Sequence, residues 1–252
     1  MVSLVPSLSE LVEALHPGAL VGVTRYCVRP AGLRERAGVT TVGGTKSPDV
    51  AAIRALQPDL VLANREENER RHVEALAETL DVVVTDVRTV ADAEAMVADV
   101  GERLGRGPEG RALAAEIRAA RAAVSARPPA RPVRFVAAIW RKPWMAAGPD
   151  TFLSDLLTTA GGVNALADAD ERYPEIDLGE LRARSPDVIL LTSEPFPFTA
   201  VHVREVRRAV GAPAVLADGE LLEWYGPRTA AGIRYAADLL ESAAGGSGSA
   251  AG

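Results

Sequence analysis

The sequence predicts an α/β protein: two Rossmann-like α/β lobes joined by a single long backbone helix. Three observations predict it. Residues 53–66 read IRALQPDLVLANRE and residues 181–194 read LRARSPDVILLTSE, so a helix tail, a Pro-Asp turn, a buried strand and a glutamate recur about half a chain later. Shorter pieces recur in the same order, Ser9-Glu10-Leu11 as Ser154-Asp155-Leu156 and the VVVTD ending at Asp86 as the AVLAD ending at Asp218. In both halves strand-sized apolar runs alternate with helical sequence, as a parallel sheet covered by helices requires. Between the halves lies one uninterrupted helical pattern.

The elements follow in order. Residues 2–5 read as a short buried strand, and Ser7 with Glu10 has the spacing of a capping box opening a helix to Leu15. Residues 21–23, 60–63 and 82–85 are the next strands of the first lobe; 133–139, 188–192 and 215–217 are their counterparts in the second. In the linking helix Pro108 suits the first turn, Glu109 suits its positive end, and Leu113, Ile117, Ala120 and Val124 form one apolar stripe before Pro128-Pro129 stops it. Such a helix is roughly 28 Å long and acts as a strut that lets the lobes move little. The expected division is 1–105 for the N-terminal lobe, 106–128 for the connecting helix, 129–241 for the C-terminal lobe and 242–252 for a flexible Gly/Ala/Ser tail.

Composition narrows the function. Of 252 residues 48% are hydrophobic and 25% charged, as in folded globular chains, and the net charge of −6 argues against a nucleic-acid partner, which wants a basic face. One cysteine excludes an internal disulfide framework and a zinc-thiolate site. No apolar run approaches the about 20 residues of a membrane span. Met1 leads directly into VSLV, without the basic stretch, long apolar segment and cleavage site of an export signal, so the chain reads as cytoplasmic as written, or extracytoplasmic if a leader has been removed.

Gly105, Gly107 and Gly110 match a dinucleotide fingerprint, but they follow a helix rather than a strand and enclose Pro108, so the match is spurious. The histidines, His16, His72 and His202, are scattered, and no metal site built from protein ligands is expected. The better candidates sit at strand ends, where α/β folds place ligand-facing loops. The loop from Val42 to Asp49 offers glycines and Lys46; an ordinary turn is its plain alternative. Residues 64–68, Asn-Arg-Glu-Glu-Asn, read either as a ligand-facing loop or as a solvated helix cap. Residues 140–145 combine Trp140 and Trp144 with Arg141 and Lys142, which suits a flat or anionic partner or else a packed strand edge. The Glu-Pro-Phe-Pro-Phe of 194–198 and the Trp-Tyr-Gly-Pro-Arg of 224–228 complete the set.

Taken together, SLVPSLSELVEAL, VGVTRYC, VGGTKSPDV, QPDLVLANREEN, IWRKPWM, SEPFPF and WYGPR resemble the cobalamin-binding members of the helical-backbone (class III) solute-binding proteins of ABC importers, in motif order from Val2 to about Leu240. The resemblance implies a small-molecule ligand, a corrinoid or other metal chelate, held between the lobes, with no cofactor required and no catalytic residues. It implies Tyr26, Lys46, Asn64, Arg65, Trp140, Arg141, Trp144, Arg172, Tyr173, Phe196, Trp224, Tyr225 and Arg228 as ligand-binding residues. Arg65, Arg141 and Arg228 are expected to converge near the three tryptophans. Glu66 or Glu67 with Glu194 is the implied pair docking an ABC permease, if the chain is exported, and a monomer is expected. Asn64 and Leu221 stand where the family carries aromatics, making the site less aromatic and more basic than a corrinoid site. An intracellular enzyme or carrier on the same scaffold is the alternative, although no nucleophile–base pair occurs at a recognisable spacing.

Overall fold

The computed structural model describes residues 1–129 and 131–246, with backbone alone for 245–246. The chain divides into two compact units. The first comprises Met1–Val87, Asp92–Ala115 and Tyr225–Pro227; the second comprises Arg88–Ala91, Glu116–Trp224 and Arg228 onward.

Unit 1 is built on β1 (Val2–Ser3), α1 (Pro6–Leu15), β2 (Gly22–Val23), β3 (Thr40–Thr41), α2 (Val50–Ala55), β4 (Val61–Asn64), α3 (Arg70–Ala77) and β5 (Val82–Thr85). Its five strands are all parallel, in the order β3-β2-β1-β4-β5. Val2, Leu4, Val61 and Ala63 supply buried side chains from the sheet, and Ile53 and Leu76 supply them from α2 and α3. The capping box expected at Ser7 does not form: Pro6 already occupies the first turn, Val5 is the N-cap without a side-chain cap, and Ser7 is buried inside the helix. Proline's fixed φ and missing N–H suit it to that turn, which shifts the helix start two residues earlier, from a Ser7 cap to a Val5 cap.

α4 (Val90–Arg103) and α5 (Gly107–Ser125) follow. One glycine of the spurious fingerprint, Gly110, serves their contact. A Cβ on Gly101 would lie 2.8 Å from the Cα of Gly110, so the two helix backbones touch where only glycine fits. The first nine residues of α5 count with unit 1 and the rest with unit 2. Ile117 and Ala120 are fully or almost fully buried on it, with Leu113 and Val124 half-buried on the same stripe.

Unit 2 continues with β6 (Val133–Trp140), β7 (Met145–Ala146), α6 (Phe152–Thr159), β8 (Gly162–Asn164), α7 (Leu178–Ala183), β9 (Val188–Thr192), α8 (Ala200–Val210), β10 (Ala214–Ala217), α9 (Gly219–Glu223) and α10 (Thr229–Gly246). Its sheet runs β10-β9-β6-β7, parallel except for the antiparallel β7, and β8 pairs with the start of β6. The sheet and α8 bury Val136, Ile189, Leu191 and Val206 together. β3, β7 and β8 have no counterpart in the sequence reading, because two- and three-residue strands carry no measurable alternation. α10 runs through Gly246, so residues 242–246 are helical rather than part of a flexible tail; residues 247–252 lie outside the described residues. Among the described residues, no helix is long and apolar enough to cross a membrane.

The repeat extends to three dimensions. β4 lies between β1 and β5, and β9 lies between β6 and β10, every pairing parallel. Glu66 stands two residues beyond Asn64, the last of β4, and Glu194 two residues beyond Thr192, the last of β9.

Candidate functional site

In unit 1 the loops after β2, β3 and β4 meet. Gly43 has φ 92°, and a Cβ there would fall 2.6 Å from the Ser47 carbonyl, so glycine permits the tight reversal in which the Gly44 N–H donates to Ser47 at 3.1 Å. That reversal presents Lys46, whose ammonium donates to the Glu66 carbonyl at 2.6 Å. Asn68 ties the same loop down through its side-chain N–H and the Thr45 carbonyl, 2.9 Å. Arg25 and Tyr26 lie over Gly44: a Cβ on that glycine would meet the Tyr26 ring at 3.3 Å and the Arg25 guanidinium at 3.4 Å. The guanidinium is 5.8 Å from the Tyr26 centroid, and Tyr26 is 54% exposed. Arg25 is a member of this group that the sequence reading missed, although it adjoins Tyr26.

Three expected residues of unit 1 have other surroundings. Asn64 is buried; it accepts from the backbone N–H of Glu66 and Glu67 at 2.9 and 3.1 Å and donates to Thr85. Its amide builds the turn after β4. Arg65 is exposed and pairs with Asp86 at 3.3 Å. Tyr225 is buried within unit 1, where burial pushes its phenol well above the usual range and the neighbouring Glu67 charge adds to this, against a smaller lowering effect of Ser7 and Thr85. Burial also raises the Glu67 carboxyl above its ordinary range, against the lowering effect of Lys46 and with a further increase from Glu66.

In unit 2 the loops after β6 and β9 carry a continuous aromatic row. Trp140, the last residue of β6 and 40% exposed, meets Phe196 edge-on at 5.5 Å. Phe196 contacts Phe198 at 4.7 Å, and Phe198 stacks on Trp144 at 5.5 Å with planes 6° apart. His202 meets both phenylalanines edge-on, while its Nδ1 accepts the Thr199 N–H at 2.9 Å. The sequence reading held Phe198 within the 194–198 candidate stretch but not among the ligand-binding residues, and it missed His202. The Phe-Pro-Phe spacing was the available signal, since residues two apart share one face of an extended segment. Trp144 is half-buried against the unit's core and so is partly a packing residue, whereas Trp140 presents open ring surface.

Each arginine among the expected residues of unit 2 lies over a ring. Arg141 is 5.8 Å from Trp144, Arg172 is 5.8 Å from Tyr173, and Arg228 is 5.6 Å from Trp224. Arg141 and Arg228 cap different indoles. Each also has a carboxylate: Glu205 takes two bonds from Arg141 at 3.2 and 3.1 Å, and Glu220 pairs with Arg228 at 3.4 Å. Arg172 donates to the Asp150 carbonyl at 2.7 Å. Glu194 closes the β9 turn through its carbonyl, which accepts the Thr192 hydroxyl at 2.7 Å, and a Cβ on Gly219 would lie 2.5 Å from its amide nitrogen.

Parallel sheets whose carboxyl-end loops gather aromatic rings and charges offer the usual place for a ligand in α/β folds. The chain belongs to the family described as Periplasmic binding protein, which matches residues 1–214. The vitamin B12-binding protein of Pectobacterium carotovorum is 25% identical over 209 residues, covering 80% of this chain and 74% of that protein. Among solved structures, the periplasmic vitamin B12-binding protein of Vibrio cholerae shares the fold with a TM-score of 0.82 at 20% identity, over 96% of each chain. A periplasmic heme-binding protein from Roseiflexus sp. RS-1, in apo form, gives the same TM-score at 22% identity, over 96% of this chain and 98% of that one.

Proposed function

We propose that this chain is a solute receptor of an ABC importer that captures a flat macrocycle, a corrinoid or a related metal chelate, outside the cytoplasmic membrane. The observation that carries the reading is the aromatic row from Trp140 to Trp144, placed at strand ends of a periplasmic-binding-protein chain with its outer member exposed. A rigid indole offers area to a planar ring at small entropic cost, and a guanidinium stacked on an aromatic extends that flat surface. In unit 1, Tyr26, Arg25 and Lys46 are the corresponding ligand residues. The vitamin B12-binding and heme-binding relatives support a macrocycle over a sugar or an amino acid.

Glu66 and Glu194 are the proposed contacts to the permease, at equivalent places beyond β4 and β9. Glu66 is preferred to Glu67 because it, and not its neighbour, holds the position equivalent to Glu194, two residues beyond the strand. α5 is the proposed connecting segment of the two units.

Thermal melting in the presence of cyanocobalamin, haemin and a ferric siderophore tests the reading. A ligand that binds only the folded state adds about 2.7 kcal/mol at a hundredfold excess over Kd. A rise in Tm with cyanocobalamin or haemin is expected; no rise with any of the three at millimolar concentration sinks the proposal.

A further inference from the structure

The guanidiniums that cap the tryptophans of unit 2 are already neutralised. Arg141 makes a two-bonded ion pair with Glu205 of α8, and Arg228 pairs with Glu220 of α9. These four side chains are between 18% and 34% exposed, so bulk water screens the pairs only in part. Arg172 is less closely paired: the Asp150 carboxylate lies 3.8 Å away and pairs with Arg88 at 2.7 Å.

We propose that Glu205 and Glu220 are specificity-determining residues, which hold the Arg141 and Arg228 guanidiniums over their indoles and cancel their charge, so that unit 2 selects flat ligands by stacking and discriminates against anionic ones. The inference rests on the reading of unit 2 as a ligand-binding face. A guanidinium alone would draw a carboxylate or phosphate through a unit charge, but one with a carboxylate about 3 Å away presents a dipole whose field falls off faster with distance. An anionic ligand group must then displace the glutamate or lie near it, and like charges brought together cost affinity. A neutral ring meets neither obstacle. It stacks on a guanidinium–indole surface whose geometry the glutamate has fixed in advance, and such preorganisation reduces the ordering cost of binding. Neither glutamate carries a signal in the sequence, since each lies on a helix among other charged residues and only the fold brings it to its arginine.

Two probes of one shape separate charge from stacking: protoporphyrin IX with its two free propionates, and the same porphyrin as its dimethyl ester. Equilibrium dialysis gives the ratio of their affinities at low and high salt for the full chain and for Glu205→Gln, Glu220→Gln and the double variant. Glutamine keeps the shape and a carbonyl acceptor for the guanidinium but removes the charge. The parent is expected to bind the ester at least as tightly as the diacid, with little salt dependence. Each glutamine variant should shift the ratio toward the diacid by roughly tenfold at low salt, the effect of one uncovered charge near a protein surface, and added salt should abolish the shift. A ligand-independent loss of structure would lower both affinities together and leave the ratio unmoved, which counts against the proposal. It is also overturned if the parent already prefers the diacid in a salt-dependent way. Trp140→Ala and Trp224→Ala distinguish its failure from failure of the binding face. If these leave both affinities intact, or if neither porphyrin nor cyanocobalamin binds the parent, the face itself is wrong. If they weaken both probes while the glutamine variants change nothing, the face stands and the role of the glutamates falls.

Discussion

The Asn64 side chain donates to both the carbonyl and the hydroxyl oxygen of Thr85, at 3.0 and 3.1 Å, across the β4–β5 edge of unit 1. With its other end it receives the backbone N–H groups of Glu66 and Glu67. Removing it leaves buried donors and acceptors without partners, at a cost of about 1–3 kcal/mol. Asn64→Ala is therefore expected to lower the unfolding free energy by that amount, seen as a fall in the urea midpoint. An unchanged midpoint would mean that water replaces the amide at no cost.

That role explains why part of the site was not legible in the sequence. The resemblance implied a ligand-facing Asn64, because the position follows a strand and the family carries an aromatic there. Yet a short amide at a strand end can also satisfy the turn's own N–H groups, and burial decides between the two. The strands that read well were those with three or more consecutive apolar residues, such as Val82–Thr85 and Val188–Thr192, and the α5 stripe read well for its helical period. What could not be read were contacts made across the sheet: Trp144 on Phe198, Arg141 on Glu205, Arg25 and Tyr26 on Gly44. Each joins residues from separate loops, or from a loop and a helix, whose meeting depends on strand order.

Ile117 is fully buried in the middle of α5. Ile117→Pro removes one helical hydrogen bond and drives the proline ring into the preceding turn, at roughly 3 kcal/mol or more. A Tm lowered by many degrees and a loss of helical circular dichroism are expected. Ile117→Val, which keeps the helix and most of the burial, should cost about 1 kcal/mol.

Glu67 gives stability a pH dependence of known sign. Its carboxyl is held above the ordinary 4.5 mainly by desolvation, so the folded chain keeps the proton more tightly than the unfolded one. The resulting stabilisation is fully present below the unfolded value and is lost as pH rises through the folded value. Glu67→Gln removes the titration. Urea unfolding from pH 4 to pH 8 should show the variant gaining on the parent as pH rises, with the gap constant above the folded value. A gap that shrinks with rising pH would place a stronger cation at Glu67 than Lys46 provides.

Trp140 and Trp144 flank the same row but should respond differently to truncation. Trp144 stacks on the buried Phe198 and packs against the core of unit 2, whereas Trp140 touches the row by one edge and is 40% exposed. Truncating a fully buried tryptophan costs about 3–5 kcal/mol, so the half-buried Trp144 should cost roughly 2 kcal/mol as Trp144→Ala, and Trp140→Ala about 1 kcal/mol or less. Binding should show the reverse emphasis. Trp140→Ala removes open ring surface and is expected to weaken a macrocycle roughly tenfold with little change in Tm. Paired urea unfolding and equilibrium dialysis on the two variants measure both quantities. Should Trp140→Ala prove the more destabilising and leave affinity intact, Trp140 is an ordinary packing residue and the solute is held elsewhere.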